Sequence, residues 1–451
     1  MVNNYIAIID IGTTKIVSMV GRKDPNGNMQ ILGFAERASE GVNRGLVLNI
    51  KEASEVIEEV VKDTIAQSGV EFKDVFVGIA GQHVKSRQIT HSVLNPSEDL
   101  IEQELVDKLI YEVYNATVDP GEKILHVFPQ EYEVNGNSVK NPVGILAKQL
   151  NGKFHISIIK DTSLNILKRS VNIAKMNITN TILEPVASAK AVLSEEEKDG
   201  GVALIDIGGG TTDLIIFKNN IVRYTAVIPF GGNSITNDLQ EGCKIVYSKA
   251  EEIKKQYGSA IPDLVNKKES VNIPGIRGRE SKDISFYTIA EIIKARVTEI
   301  IDTVYHEIKK SEYLNKLSAG LTVTGGGALL KHLKEFIEFR TGLETRIAYP
   351  EDFIYSNSER ILDPKYATAI GLLKKAYEYK ENEGIKYFNK AKLKEEEEKK
   401  EAEEKNIENE TNEDIVEEKT KENNRNIFKE AIEKLRDLLV VDDDEVIDDE
   451  N

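Results

Sequence analysis

Residues 204–217 read "LIDIGGGTTDLIIF", and residues 6–20 read "IAIIDIGTTKIVSMV". Each is an apolar run that ends in Asp-Ile-Gly, passes through small and hydroxyl residues, and resumes as an apolar run. A buried strand ending this way places a carboxylate where the backbone begins to turn. Glycine permits positive φ and lets the main chain approach a ligand closely. Successive amide N–H groups in such a turn form a concavity that accepts phosphate oxygens, and threonine hydroxyls add donors. The pattern predicts two β-hairpins, each with a phosphate loop at its tip. Two such tips facing each other would clamp a polyphosphate from both sides. The phosphate candidates are Gly12, Thr13, Thr14 and Lys15 in the first copy, and Gly208, Gly209, Gly210, Thr211 and Thr212 in the second. Asp10 and Asp206 would lie near a Mg²⁺ ion through its waters, because Mg²⁺ keeps much of its hydration shell. The Gly-x-x-x-x-Gly-Lys-Ser/Thr pattern of a P-loop is absent.

A third element suits the same ligand. "TVTGGGALL" (322–330) predicts a strand, the glycines Gly325, Gly326 and Gly327, and then an apolar helix. Glycines there would let a base or ribose lie against the backbone. In "AEEIKKQYG" (250–258), Glu251 and Lys254 share a helical face at i and i+3. Glu251 would accept ribose hydroxyls and Lys254 would lie along the nucleotide. Taken singly, an Asp-x-Gly turn is usually only a hairpin, and a Glu/Lys pair only a solvated helix face. Two matching hairpins and a glycine-rich strand end in this chain order point to a nucleotide.

The chain has 451 residues, 40% of them apolar, so more than one domain is expected. One cysteine, Cys243, excludes an internal disulfide framework and suits a reducing compartment. Neither a signal peptide nor an apolar stretch of about 20 residues is visible, so no transmembrane helix is expected. Residues 385–451 carry 13 basic and 24 acidic side chains, so −11 of the net −17 lies there and −6 in the rest. No basic stripe is concentrated enough for nucleic acid.

The opening reads as strands, then a helix over 49–69, then the short strand "DVFVGIAG" (74–81). Residues 83–163 change character and read as a small α+β insertion. "VASAKAVLSEEEK" reads as one helix after a strand "ITNTILEP". Helices dominate 233–316, and a last packed helix is expected over 363–379. From about 385 the Glu/Lys/Asn-rich chain cannot bury enough surface to fold alone. A linker of about 40 residues has an r.m.s. span of roughly 35 Å. Beyond it, "IFKEAIEKLRDLL" puts Ile427, Phe428, Ala431, Ile432, Leu435, Leu438 and Leu439 on one face, and an acidic end follows.

"IDIGTTK" (9–15), "LIDIGGGTTDLIIF" and "TVTGGGALL" resemble the two phosphate motifs and the adenosine motif of the actin-like ATPase superfamily. "EPVASAKAVL" (184–193) and "DPKYATAIGLL" (363–373) resemble its two connecting hinge helices. Within that superfamily, "ERASEGVNRGLVLNIKEASEVIEEVV", "IPGIRGRESKDISFYTIAEIIKARVTEI" and the placement of the insertion resemble the FtsA family of bacterial cell-division proteins. The resemblance covers about 1–380; the tail departs in length and acidity. It implies an α/β fold of duplicated actin-like (ribonuclease H-like) domains around a nucleotide cleft, with an inserted α+β subdomain and a disordered C-terminal tail. The first actin-like subdomain would occupy 1–82 and 164–200, and the insertion 83–163. The second would occupy 201–231 and 306–384, with a helical subdomain at 232–305 between its parts. A linker (385–424), an amphipathic helix (425–441) and an acidic tail (442–451) would complete the chain.

The resemblance further implies a protein that binds ATP and Mg²⁺, polymerises with itself, tethers FtsZ at the cytoplasmic face of the membrane at the division septum, and meets other division proteins. The FtsZ C-terminal peptide would dock on the helical subdomain, with Arg277, Arg279 and Arg296 as charge partners. For each arginine a structural salt bridge is an equal reading. Hydrolysis would be slow, in the manner of a switch, with Asp206 orienting the water. Ile427, Phe428, Ile432, Leu435, Leu438 and Leu439 would enter the bilayer interface. At about 1.5–3 kcal/mol per well-buried large apolar side chain, they would sustain binding although the polar face is nearly neutral and acidic residues follow. A partner-binding helix is the alternative there. For the whole chain the alternatives are a small-molecule kinase, or a chaperone or pilus-assembly member of the same superfamily.

Overall fold

The computed structural model describes residues 5–24, 27–96, 99–275, 280–350, 354–355 and 359–381. Two sheets share one plan. In the first, Tyr5–Ile11, Lys15–Lys23 and Met29–Ala38 form an antiparallel meander. Tyr5–Ile11 then pairs in parallel with Asp74–Ile79, which pairs in parallel with Asn177–Leu183. In the second, Val202–Ile207, Thr212–Lys218 and Ile221–Ile228 form the meander, and Val202–Ile207 continues in parallel to Leu321–Thr324 and Thr345–Ile347. Ile354–Tyr355 adds an edge to the first sheet only. The duplication read in the hairpins therefore extends to whole sheets.

The central strands are continuous apolar runs because both faces of each sheet are covered. Side chains alternate. Ile6 and Ile8 join one core with Leu204, while Ala7, Ile9 and Ile11 join another, and Ala203, Ile205 and Ile207 a third. The shared core holds helix Glu184–Val192 and the helix over 367–381, both packed between the sheets. Here the two helices touch: a Cβ on Gly371 would fall 1.7 Å from the Ala187 carbonyl oxygen. Ile50–Ser68 and Asp161–Ile173 cover the outer face of the first sheet. Asn49 caps the former, accepting from the Lys51 and Glu52 N–H groups, and Gly69 ends it in the left-handed region. Gly232–Cys243, Phe286–Lys310 and Leu333–Thr341 cover the outer face of the second.

The insertion is a four-stranded antiparallel sheet in the order Lys85–Leu94, Gln149–Lys160, Glu122–Val134, Asn137–Val139. Among its described residues it has one helix, Gln103–Tyr114, and its own core around Leu109, Leu150 and Phe154.

Three local expectations change. Glu184 and Pro185 begin a helix instead of ending a strand, since proline at the first turn loses no hydrogen bond. The helix expected through "VASAKAVLSEEEK" stops at Val192. Ser194 then opens a second, Glu195–Gly200, with a reciprocal capping box to Glu197. After Gly325 there is only a 3₁₀ turn, Gly326–Leu329; the α-helix starts at Leu333. The linker, the amphipathic helix with its six interface residues, and the acidic tail lie outside the described residues. Among those described, no helix is long and apolar enough to cross a membrane.

Candidate functional site

The two hairpins close with the same four-residue turn. The Gly12 N–H donates to the Lys15 carbonyl at 3.0 Å, and the Gly208 N–H to the Thr211 carbonyl at 2.9 Å. The tips meet. A Cβ on Gly209 would lie 1.9 Å from Thr14 Oγ1, and one on Gly210 2.4 Å from Thr13 Oγ1. Thr13 Oγ1 also accepts from the Gly45 N–H at 3.0 Å. The second loop is braced from behind, where the Gly232 and Asn233 N–H groups donate to the Gly208 and Gly209 carbonyls at 2.9 and 2.8 Å.

Strand parity aims the aspartates. Asp10 follows Ile6 and Ile8, and Asp206 follows Leu204, on the faces that look toward the shared core. Both are buried, 5% and 6% exposed. A cavity of about 520 Å³ opens between the hairpins, a volume typical of a small-molecule site. It is bordered by Asp10, Gly12, Thr13, Thr14, Lys15, Asp206, Gly208, Gly209, Gly210, Thr211, Glu251, Lys254, Gly325, Gly326 and Gly327. Thr212 is the exception. It has the opposite parity, is fully buried, and donates its hydroxyl to the Phe230 carbonyl at 2.8 Å. It braces the hairpin and does not face the ligand space. Gly325 is required twice over: its φ is +85°, and a Cβ there would lie 2.2 Å from Asp206 Oδ1.

Glu251 and Lys254 pair at 2.6 Å, and Lys255 adds a second contact to Glu251 at 3.1 Å. Lys254 Nζ also donates to the Gly232 carbonyl at 3.0 Å and to Thr236 Oγ1 at 2.7 Å. Burial opposes the charge on Glu251, but Lys254, Thr236 and Lys255 hold its carboxyl below the ordinary range.

Two carboxylates join the floor that the motifs did not single out. Asp213 sits directly opposite Asp206 in the hairpin register, and Glu184 stands at the first turn of its helix. Like charges placed opposite each other in a ladder repel. Burial pushes Asp10 up to about 6; Lys15 opposes the rise and Asp206 adds to it. Burial raises Asp213 and Glu184 well above the carboxylate range, and their acidic neighbours raise them further. Asp206 is raised by burial and held back by Ser188, Lys15 and Thr368. Asp213 Oδ1 is buried without a hydrogen-bond partner. An acidic floor with an unsatisfied oxygen suits a divalent cation. Among the described residues, no three His, Cys, Asp or Glu side chains could hold a metal by themselves. That fits Mg²⁺, which takes one or two carboxylates and completes its shell with water and phosphate. Asp213 could have been found from the quoted hairpin by register alone. Glu184, Asn233, Lys365 and Thr368 also border the cavity; Glu184, Lys365 and Thr368 lie within the two quoted hinge stretches, whose pattern signals helices and not the site.

Arg277 and Arg279 lie outside the described residues. Arg296 is engaged within the chain: it donates twice to Asp238, at 2.6 and 2.8 Å, pairs with Glu299, and lies over the Phe230 ring. A smaller cavity of about 140 Å³, bordered by Glu131, Ser138 and Lys153 on the insertion, contains none of the predicted residues.

The family model described as "Cell division protein FtsA" matches residues 203–371, and "SHS2 domain inserted in FTSA" matches 81–158. Cell division protein FtsA of Neisseria meningitidis serogroup B is 33% identical over 371 residues, which is 82% of this chain and 89% of that protein. The Escherichia coli K12 protein of the same name is 30% identical over 374 residues, covering 81% and 88%. The Borreliella burgdorferi one is 33% identical over 376 residues, covering 83% and 91%. Among solved structures, the PilM–PilN type IV pilus biogenesis complex aligns with a TM-score of 0.58 at 15% identity, covering 82% of this chain and 98% of that one. MreB5 of Spiroplasma citri, solved bound to ADP, aligns at 0.52 and 15%, covering 85% and 99%. At such identities the likeness shows the fold alone, and that fold is the actin-like ATPase fold.

Proposed function

We propose that this chain, which belongs to the FtsA family of cell division proteins, binds Mg·ATP between its two sheets, polymerises at the cytoplasmic membrane and anchors FtsZ filaments there. At the septum it would help assemble the division machinery. One observation carries the nucleotide reading: the two hairpin tips meet over a single cavity with Asp10 and Asp206 at its floor. With the Gly12 and Gly208 N–H groups closing the turns, the remaining backbone N–H groups and the hydroxyls of residues 12–15 and 208–211 receive the phosphates. Gly325–Gly327, with Glu251 and Lys254, receive the nucleoside. Asp10 and Asp206 hold the ion through water. Bound Mg²⁺ would supply positive charge against the phosphates and the acidic floor. Asp206 is the sequence candidate for orienting an attacking water. Glu184, whose carboxyl burial and acidic neighbours raise well above the ordinary range, is a second group able to hold a proton there.

The FtsZ peptide docks on the helical segment 232–305. Arg277 and Arg279 are its charge partners, while Arg296 stays with Asp238. The helix over 425–441 lies on the membrane through Ile427, Phe428, Ile432, Leu435, Leu438 and Leu439. The test is sedimentation of the full chain with ATP, Mg²⁺ and vesicles, with and without the FtsZ C-terminal peptide. Nucleotide-dependent pelleting with vesicles and retention of the peptide are expected. A purified chain with no affinity for ATP would overturn the reading.

A further inference from the structure

We propose that Ser188 and Thr368 are positioning residues for metal binding at Asp206: one hydroxyl from each helix between the sheets holds the same carboxylate oxygen and aims the other at the cavity. This rests on the Mg·ATP reading above. Ser188 is fully buried in helix Glu184–Val192, and Thr368 belongs to the helix over 367–381. Ser188 Oγ donates to Asp206 Oδ2 at 2.6 Å, the short length of a charge-assisted bond. Thr368 Oγ1 lies 3.2 Å from the same oxygen and 3.0 Å from Ser188 Oγ. Each hydroxyl has one proton. With Ser188's given to Asp206, Thr368 donates to either of the other two and reinforces the pair in both cases.

The two helices reach one carboxylate because they cross at very short range. Gly371 is three residues beyond Thr368 and Ala187 precedes Ser188; any side chain at 371 would strike the Ala187 carbonyl at 1.7 Å. On the far side of the carboxylate, Oδ1 packs against Gly325, where a Cβ would come within 2.2 Å. Asp206 is thus held on one oxygen and confined on the other. Its torsional freedom is removed before any ion arrives, the condition under which a metal-binding carboxylate is most effective.

The experiment measures ATP affinity of the full chain in Mg²⁺ and in EDTA, and takes the ratio. A residue that merely supports the scaffold changes both affinities together and leaves the ratio alone. Removing a hydrogen bond to a charged group corresponds to about tenfold in an equilibrium constant. Ser188→Ala is therefore expected to lower the ratio about tenfold. Thr368→Val is expected to lower it about threefold, on the scale of a weaker hydrogen bond, and Thr368→Ser, which keeps the hydroxyl, to retain it. A wild-type ratio in Ser188→Ala overturns the proposal, as does an equal loss in Thr368→Ser and Thr368→Val. Should Ser188→Ala fail to fold, the Thr368 pair decides. A wild-type chain that binds no ATP under either condition refutes the nucleotide reading itself, and this inference with it.

Discussion

Asp10→Asn tests the acidic floor. Burial raises the Asp10 carboxyl from 3.8 to about 6 in the fold, with Lys15 opposing and Asp206 adding. The folded state therefore binds a proton more tightly than the unfolded chain does. The associated stability is fully present below pH 3.8 and is lost as pH rises through about 6. At about 1.36 kcal/mol per unit, roughly two units correspond to about 3 kcal/mol by which ionised Asp10 disfavours the metal-free fold at neutral pH. Asparagine cannot ionise. In EDTA at pH 7.5 the variant is expected to be more stable than wild type, by at most about 3 kcal/mol. The unmet needs of its amide would reduce that gain. At pH 4 the advantage should shrink toward zero. Addition of Mg·ATP should reverse the order, because ligand that binds only the native state stabilises by mass action and Asp10 belongs to the ion's surroundings. Urea titration at both pH values, with and without Mg·ATP, reads all of this. A variant less stable than wild type in EDTA at pH 7.5 would refute the electrostatic reasoning. Equal Mg·ATP stabilisation of the two proteins would remove Asp10 from the ion site.

Gly371→Ala should destabilise the protein by about 3 kcal/mol or more in urea denaturation, since the new methyl meets backbone at 1.7 Å and the helices must part. Lys254→Met leaves Glu251 with Lys255 as its remaining cation; ATP affinity should fall about tenfold or more, as expected when a charged hydrogen bond is lost, read by calorimetry. Arg296→Ala breaks a two-point contact with Asp238 on a mostly covered guanidinium. It should cost about 1–3 kcal/mol of stability while leaving FtsZ-peptide affinity within about threefold. Liposome flotation of peptide 424–441 should recover it with lipid; absence from the floating fraction with both neutral and anionic vesicles would remove the membrane role.

The sequence by itself determined the two hairpins, their glycine tips and the aspartate beside each turn, because all of these are set within a few residues. An apolar run, a residue able to turn and a second apolar run have one local solution, and Asp10 and Asp206 precede the turn in both copies. Parity along the strand even decides which face each aspartate occupies, and with register it could have exposed Asp213 as Asp206's opposite neighbour and Thr212 as a residue turned away. What only the tertiary structure decided is what meets those faces. Glu184 and Thr368 reach the floor from helices 22 residues before Asp206 and 162 after it, and Ser188 joins them because Gly371 allows two helices to touch. Arg296, which the sequence left open between a peptide contact and a structural salt bridge, is taken up by Asp238, 58 residues away. Local spacing specifies a turn and a face. The identity of the surface packed against that face depends on contacts between distant segments, and no periodicity within a segment encodes its partner.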